Sequence, residues 1–435
     1  MKLSKLMIAA IAVCGASQAM AAGVTRLTGS SASSINVVRG AVNMCVNNGG
    51  SALVYKTSSS TSSLGNQFTV TCSTDFDANI PVTANELRVN VANGSETAIT
   101  NAAAYPSSTT IGFLVPSGSC TALPAGTESL SFLAAGQMLN CGTTLADNSK
   151  SDGGFMDEEG PVFNTSYDAG DFAPSGFSQV FGIAVNSTLY NDLQAYQKTV
   201  AGGNIVPATC AAGDTTPACQ PSLSRAQITS LINSSTSNPA KTGGLAYLVP
   251  AAYQTAGLAT GGNKITYCKR PQSSGTQQGA QLYFLNYDAL GSLGGKEPII
   301  GNVTLSKYAA VENASSGNVK NCLNANTLSD GYKFGSLSME NNPIGGSDTY
   351  RFVRLSEVAA TEGVAGASQT ATAIAGRYDY VYELSAYCPA GTCAPVIEGI
   401  KANVAAGTSS PGIFVTGVES RFGRGGNSNK PYASR

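Results

Sequence analysis

The chain has 435 residues, with 25 Lys plus Arg against 26 Asp plus Glu, no His, no Trp, 42% hydrophobic and 12% charged residues. Without histidine, a Ser-His-Asp or Cys-His nucleophile, an HExxH zinc site and an imidazole acid or base near neutral pH are all excluded. A net charge of −1 with few charged residues argues against the basic surface that a nucleic-acid binder needs, while the apolar share suffices for a large core and the length suggests two or more lobes.

Lys2 and Lys5, the apolar run Leu6 to Val13 and Ala19-Met20-Ala21 read as an export leader, 1–21, cleaved near Ala21. No later apolar run approaches the roughly 20 residues of a membrane span, so a periplasmic or extracellular location is expected. VTRLTGSSASSINVVRGAVNMCVNNG then predicts a strand, a Gly-Ser turn capped by Ser30 and Ser31, and a helix with Ile35, Val38, Val42 and Cys45 on one face. SALVYKT and NQFTVTC predict a hairpin. LRVNVANGSETAITNAAA predicts a second strand, with Leu87, Val89 and Val91 alternating before Gly94-Ser95 opens a helix.

Residues 105–175 are rich in Gly, Ser and Pro and read as loops and short strands. SQVFGIAVNSTLY predicts a buried strand leading into a short helix or loop, and SLSRAQITSLINS a Ser-capped helix. NKITYCKRPQSSGTQQGAQLYFLNYDAL is a third strand–turn–helix. YKFGSLSMENNP, YRFVRLSEV and DYVYELSAY predict further strands before a glycine-rich tail. Alternating strands and helices imply an α/β fold with a largely parallel sheet. The tail carries Arg421, Arg424 and Lys430 without an acid after Arg421, and reads as a disordered terminus or a surface-binding segment.

With the leader's Cys14 set aside, ten cysteines remain: Cys45, Cys72, Cys120, Cys141, Cys210, Cys219, Cys268, Cys322, Cys388 and Cys393. An even number in an exported chain reads as disulfides, and neighbour pairing closes the shortest loops. The sequence leaves the connectivity open. No CxxC pair and no His exist to build a metal site, and no cofactor is implied.

The three turns at Ser30-Ser31, Gly94-Ser95 and Ser274-Gly275-Thr276 each set hydroxyls beside unpaired amides where a helix begins, a place suited to an anion. In RPQSSGT, Arg270 stands four residues before Ser274, so a guanidinium fork, hydroxyls and backbone amides can face one tetrahedral oxyanion. Read singly, each turn is a cap, Arg270 a surface ion-pair partner and Asp157 a solvated loop acid.

The Arg270–Thr276 stretch resembles the R-x-x-x-S-G-T loop of the phosphate-binding component of bacterial ABC importers, a type II periplasmic binding protein. By that resemblance Ser30, Ser31 and Ala32 match the family's first ligand loop, Ser95 the second, Asp157 its aspartate, and Arg270, Ser274, Gly275 and Thr276 the third loop. FGIAVNSTLY and LSRAQITSLINS resemble its inter-lobe strand and the helix that follows. The segments around 47–80, 100–150 and 205–222 read as insertions, and five disulfides are unusual for the family, so the chain reads as a divergent member.

The resemblance implies an α/β fold of two lobes, 23–178 with 330–435 and 179–329, with disulfide-pinned insertions and a ligand in the cleft between lobes. It implies capture of inorganic phosphate or a similar oxyanion by hinge closure, with no chemical step, and an ABC importer permease as a possible partner. The alternative is a secreted structural or cell-surface protein that reuses this fold and self-associates.

Overall fold

The computed structural model describes residues 23–61, 63–77, 84–126, 130–142, 145–200, 205–261, 263–288, 293–341, 343–344, 347–360, 370–404, 412–416 and 418–434. The predicted leader lies outside them. Ten strands and six helices suffice to place the site: β1 Gly23–Gly29, α1 Ser34–Asn47, β2 Ala52–Lys56, β3 Gln67–Cys72, β4 Ala84–Asn90, β5 Gly153–Met156, β6 Phe172–Val185, α2 Ser187–Gln197 and α3 Arg225–Ile232. They continue with β7 Ile265–Lys269, α4 Gly275–Ala280, β8 Tyr308–Glu312, α5 Ser316–Asn324, β9 Tyr332–Ser338, β10 Val381–Tyr387 and α6 Pro395–Asn403.

These strands form one continuous sheet in the order β8-β7-β9-β6-β10-β5-β1-β4-β3-β2, with short strands extending both edges. Two parallel groups emerge, β5-β1-β4 and β8-β7-β9, each built from the strand–turn–helix units legible in the sequence. The expectation of a largely parallel sheet holds only within each group. The centre is antiparallel, because β6 and β10 return the chain between the groups. At 14 residues β6 is long enough to serve both: Phe172–Val180 pairs with β10, and Phe181–Val185 pairs with β9.

The fold is mixed α/β, and two apolar clusters lie on this frame. One packs α1 and α6 on β1–β4, with Leu27, Val38, Ala41, Phe68, Leu87, Ile397 and Ile400 fully buried. The other surrounds β6–β9, with Phe181, Leu189, Ile228, Ile265, Tyr308, Tyr332 and Phe334. Residues 332–360 contribute Phe334, Leu337, Phe352 and Leu355 to this second cluster, on the far side of the expected division at 330.

Five disulfides join the ten cysteines as neighbours: Cys45–Cys72, Cys120–Cys141, Cys210–Cys219, Cys268–Cys322 and Cys388–Cys393. The first and fourth tie a helix to a strand within each cluster; the second and third pin the segments that read as insertions. Among the described residues no helix is long and apolar enough to cross a membrane.

Three local expectations are corrected. Helix α1 begins with Ser33 at its N-cap; Ser30 and Ser31 precede it, and the Ser30 hydroxyl donates to Asp157. The helix opened by Gly94-Ser95 lasts one turn, Thr97–Thr100. The described part of the basic tail is docked: Arg424 is buried and donates from Nε to the Val381 carbonyl at 2.6 Å and from a terminal nitrogen to the Asp379 carbonyl at 3.0 Å.

Candidate anion-binding site

Strands β1, β4, β5 and β7 deliver the site from their carboxyl ends, where crevices open in sheets of this kind. Gly29 closes β1 at φ +126°, a conformation rare for residues with a side chain, and an added Cβ would lie 2.1 Å from the Phe155 carbonyl oxygen. That close approach lets the Ser30 amide donate to the same carbonyl at 2.8 Å, which sets Ser30 beside Asp157 at the end of β5. On the opposite wall, the Gln277 side chain accepts from the Arg270 amide and the Tyr267 hydroxyl, each at 3.2 Å, and so fixes the loop between β7 and α4.

Asp157 is the hub. Its carboxylate accepts from the Ser30 hydroxyl, and the Ser95 hydroxyl, the Thr276 amide and the Arg270 charge all favour its ionised form. The Asp157 amide in turn donates to Ser95 Oγ at 3.3 Å. Burial raises the Asp157 pKa above the usual carboxylate range, while these hydrogen bonds and Arg270 oppose the rise. Gly275 is required here: a Cβ would stand 2.4 Å from Asp157 Oδ2 and 2.5 Å from Ser95 Oγ.

Arg270 is 3% exposed. One terminal nitrogen donates to Ser316 Oγ at 2.9 Å, and Nε has no partner among the described residues. Burial lowers its pKa to about 10, with Asp157 acting against the fall, so it stays a cation at neutral pH. A buried guanidinium donor without an acceptor is costly unless something anionic meets it.

The nine residues singled out in the sequence come together. Ser30, Ser95, Asp157, Arg270, Gly275 and Thr276 meet as described. The Ala32 amide donates to Ser30 Oγ at 3.0 Å, and Ser31 Oγ faces Ser316 Oγ at 3.4 Å. Ser274 is buried at the N-cap position of α4, with its amide donating to the Pro271 carbonyl. The walls touch through backbone: the Glu96 amide donates to the Ser273 carbonyl at 3.2 Å.

One member, Ser316, and one buried acid next to Asp157 escaped the sequence reading. Ser316 opens α5 behind a Ser315 cap, a signal present in SSGN but far from Arg270 in sequence. Glu158 is fully buried, and neither carboxylate oxygen has a partner among the described residues. Burial first, then the charges of Asp157 and Glu159, push its pKa well up, with Arg424 opposing. As for metals, the two groupings of cysteine with an acid, at Cys210-Asp214-Cys219 and Cys388-Cys393-Glu398, use disulfide sulfurs, which offer no thiolate.

No family model matches the chain, and no curated protein does. Two solved structures are similar to it. One is PstS from Borrelia burgdorferi, at 8% identity and a TM-score of 0.31, over 84% of this chain and 86% of that one. The other is a possible phosphate binding protein from Planctomyces limnophilus DSM 3776, at 8% identity and a TM-score of 0.29, over 84% and 81%.

Proposed function

We propose that this chain is an exported solute-binding protein that captures inorganic phosphate, or a similar tetrahedral oxyanion, between its lobes. The observation that supports this most is the buried Arg270, charged at neutral pH, whose Nε has no partner among the described residues, close to serine-bearing turns drawn from separate strands. Arginine presents donors in a planar fork that matches oxyanion geometry, and low local dielectric strengthens each bond it makes. The hydroxyls of Ser31 and Ser316, 3.4 Å apart, offer further hydrogen-bonding groups beside Arg270.

Capture proceeds by hinge closure about β6 and β10, the strands shared by both lobes, with no covalent step. An importer permease is the proposed recipient. The five disulfides fit an oxidising compartment, which suits export. Asp157 supplies discrimination: an ionised carboxylate only accepts, so it tolerates an anion that carries a hydroxyl and repels sulfate, which has none near neutral pH.

The test is equilibrium dialysis of the mature chain against radiolabelled phosphate, after unfolding and refolding to strip carried-over anion. One saturable site per chain, displaced by arsenate and not by sulfate, is the expected result. Absence of any saturable site would favour a surface protein that keeps the fold without the ligand.

A further inference from the structure

Resting on the oxyanion reading, a second role falls to Asp157. We infer that Asp157 is an internal competitor for the cleft: its carboxylate takes the hydroxyl and amide donors that an incoming oxyanion needs, ties the lobes as an anion would, and so sets which anions enter.

Three observations carry this. The Ser30 hydroxyl donates to this carboxylate, and the Ser95 hydroxyl and the Thr276 amide, each on a different strand-to-helix turn, stand close enough to favour its ionised form. Two of those donors belong to the first lobe and one to the second, as does Arg270, so the carboxylate bridges the cleft through protein groups alone. The approach is also close: Asp157 Cβ and Oδ2 stand where a side chain on residue 275 would begin, at 2.4 Å, so α4 starts directly against the carboxylate.

An entering anion gains Arg270 Nε and the hydroxyls of Ser31 and Ser316, and it must take over at least part of the donor set that Asp157 now holds. A planar monoanion such as acetate offers nothing that the resident carboxylate does not already supply. A tetrahedral anion of higher charge has enough oxygens to span both groups of donors, and a hydroxyl on it can itself donate to Asp157, replacing the donors drawn away from the carboxylate. Specificity thus arises from displacement as well as from fit.

Asp157 as a plain ligand contact and Asp157 as an internal competitor give opposite signs. In Asp157→Asn the side chain keeps its shape and loses its charge, and in Asp157→Ser it loses bulk as well. As an internal competitor, Asp157 lowers apparent affinity by the fraction of cleft it holds, so phosphate should bind Asp157→Asn about ten-fold more tightly than wild type, and sulfate should begin to bind. Unchanged or weaker phosphate binding in both variants would overturn the inference.

Small-angle scattering of the stripped proteins gives a readout that needs no anion. The radius of gyration of Asp157→Asn should exceed that of wild type and shrink on adding phosphate. If wild type and variants all ignore phosphate, arsenate and sulfate, the oxyanion reading fails. Asp157 as the tie between lobes is then supported by a larger radius in Asp157→Asn and refuted by an equal one.

Discussion

Two buried arginines divide the labour of this molecule. Arg424, in the tail, spends its donors on the protein: Nε on the Val381 carbonyl, its terminal nitrogens on the Asp379 and Lys430 carbonyls, its amide on Glu383 Oε1 at 2.9 Å, and its guanidinium face on the Tyr382 ring at 4.5 Å. Arg270, in the cleft, donates to Ser316 and leaves Nε without a partner among the described residues. Both are under 10% exposed, so burial alone does not tell them apart. The difference lies in who accepts. Backbone carbonyls make an arginine a strut; hydroxyls and a neighbouring carboxylate leave it able to serve a ligand.

The largest effects are expected at the arginines themselves. Arg270→Ala should cost phosphate binding about 2–5 kcal/mol, which is 30-fold to several-thousand-fold in affinity, because a charged bidentate donor in a closed cleft is lost. Its denaturation midpoint should stay near that of wild type; a large loss of stability with intact binding would reverse the assignment. Arg424→Ala should do the converse. Three carbonyls lose their donor at once, and a loss of about 3 kcal/mol is expected in urea unfolding, with the phosphate affinity of the folded protein unchanged. Weaker binding without weaker folding would show that the tail serves the cleft.

Ser316 probes the same division on a smaller scale. Ser316→Ala removes one hydroxyl from Arg270, so phosphate affinity should fall by about 1 kcal/mol, near five-fold. No change would mean that Ser316 only opens α5. A subtler effect separates Asp157 from its neighbour. Glu158 has its folded pKa raised, so the stability it contributes is fully present below its unfolded value and is lost as pH rises through the folded one. Glu158→Gln should therefore melt with wild type on the acid side and increasingly above it as pH climbs. Parallel melting curves across the range would show that Glu158 is not held neutral.

The sequence carried the cleft better than it carried its surroundings. Three strand–turn–helix units were legible because each has its own local signals: alternating apolar residues, a Gly or Ser turn, a capped apolar periodicity. Those units deliver eight of the nine candidate residues to one place, and Asp157 joins them from the end of β5. What failed depends on partners distant in the chain. Ser30 reads as a helix cap, but α1 starts later, behind Ser33, and the Ser30 hydroxyl donates to Asp157, 127 residues away. The tail looked disordered because its charges are uncompensated locally; its partners include a carbonyl on β10, 43 residues earlier. Helix α6 was missed inside a stretch read as glycine-rich, although Pro395 at its start and buried Val396, Ile397 and Ile400 carry a helical pattern. The antiparallel centre escaped because β6 and β10 read as ordinary strands whose pairing no local signal fixes.

Arg270 is proposed to hold an oxyanion through the geometry of its fork and not through charge alone, and the oxyanion reading of the cleft rests on it. Titration calorimetry of phosphate into refolded wild type and refolded Arg270→Lys separates the two, since the lysine keeps the charge and loses the fork. A saturable one-to-one heat is expected in wild type, with an affinity at least about 30-fold lower in Arg270→Lys. Equal affinities in the two proteins, or no saturable heat in wild type, would contradict the assignment.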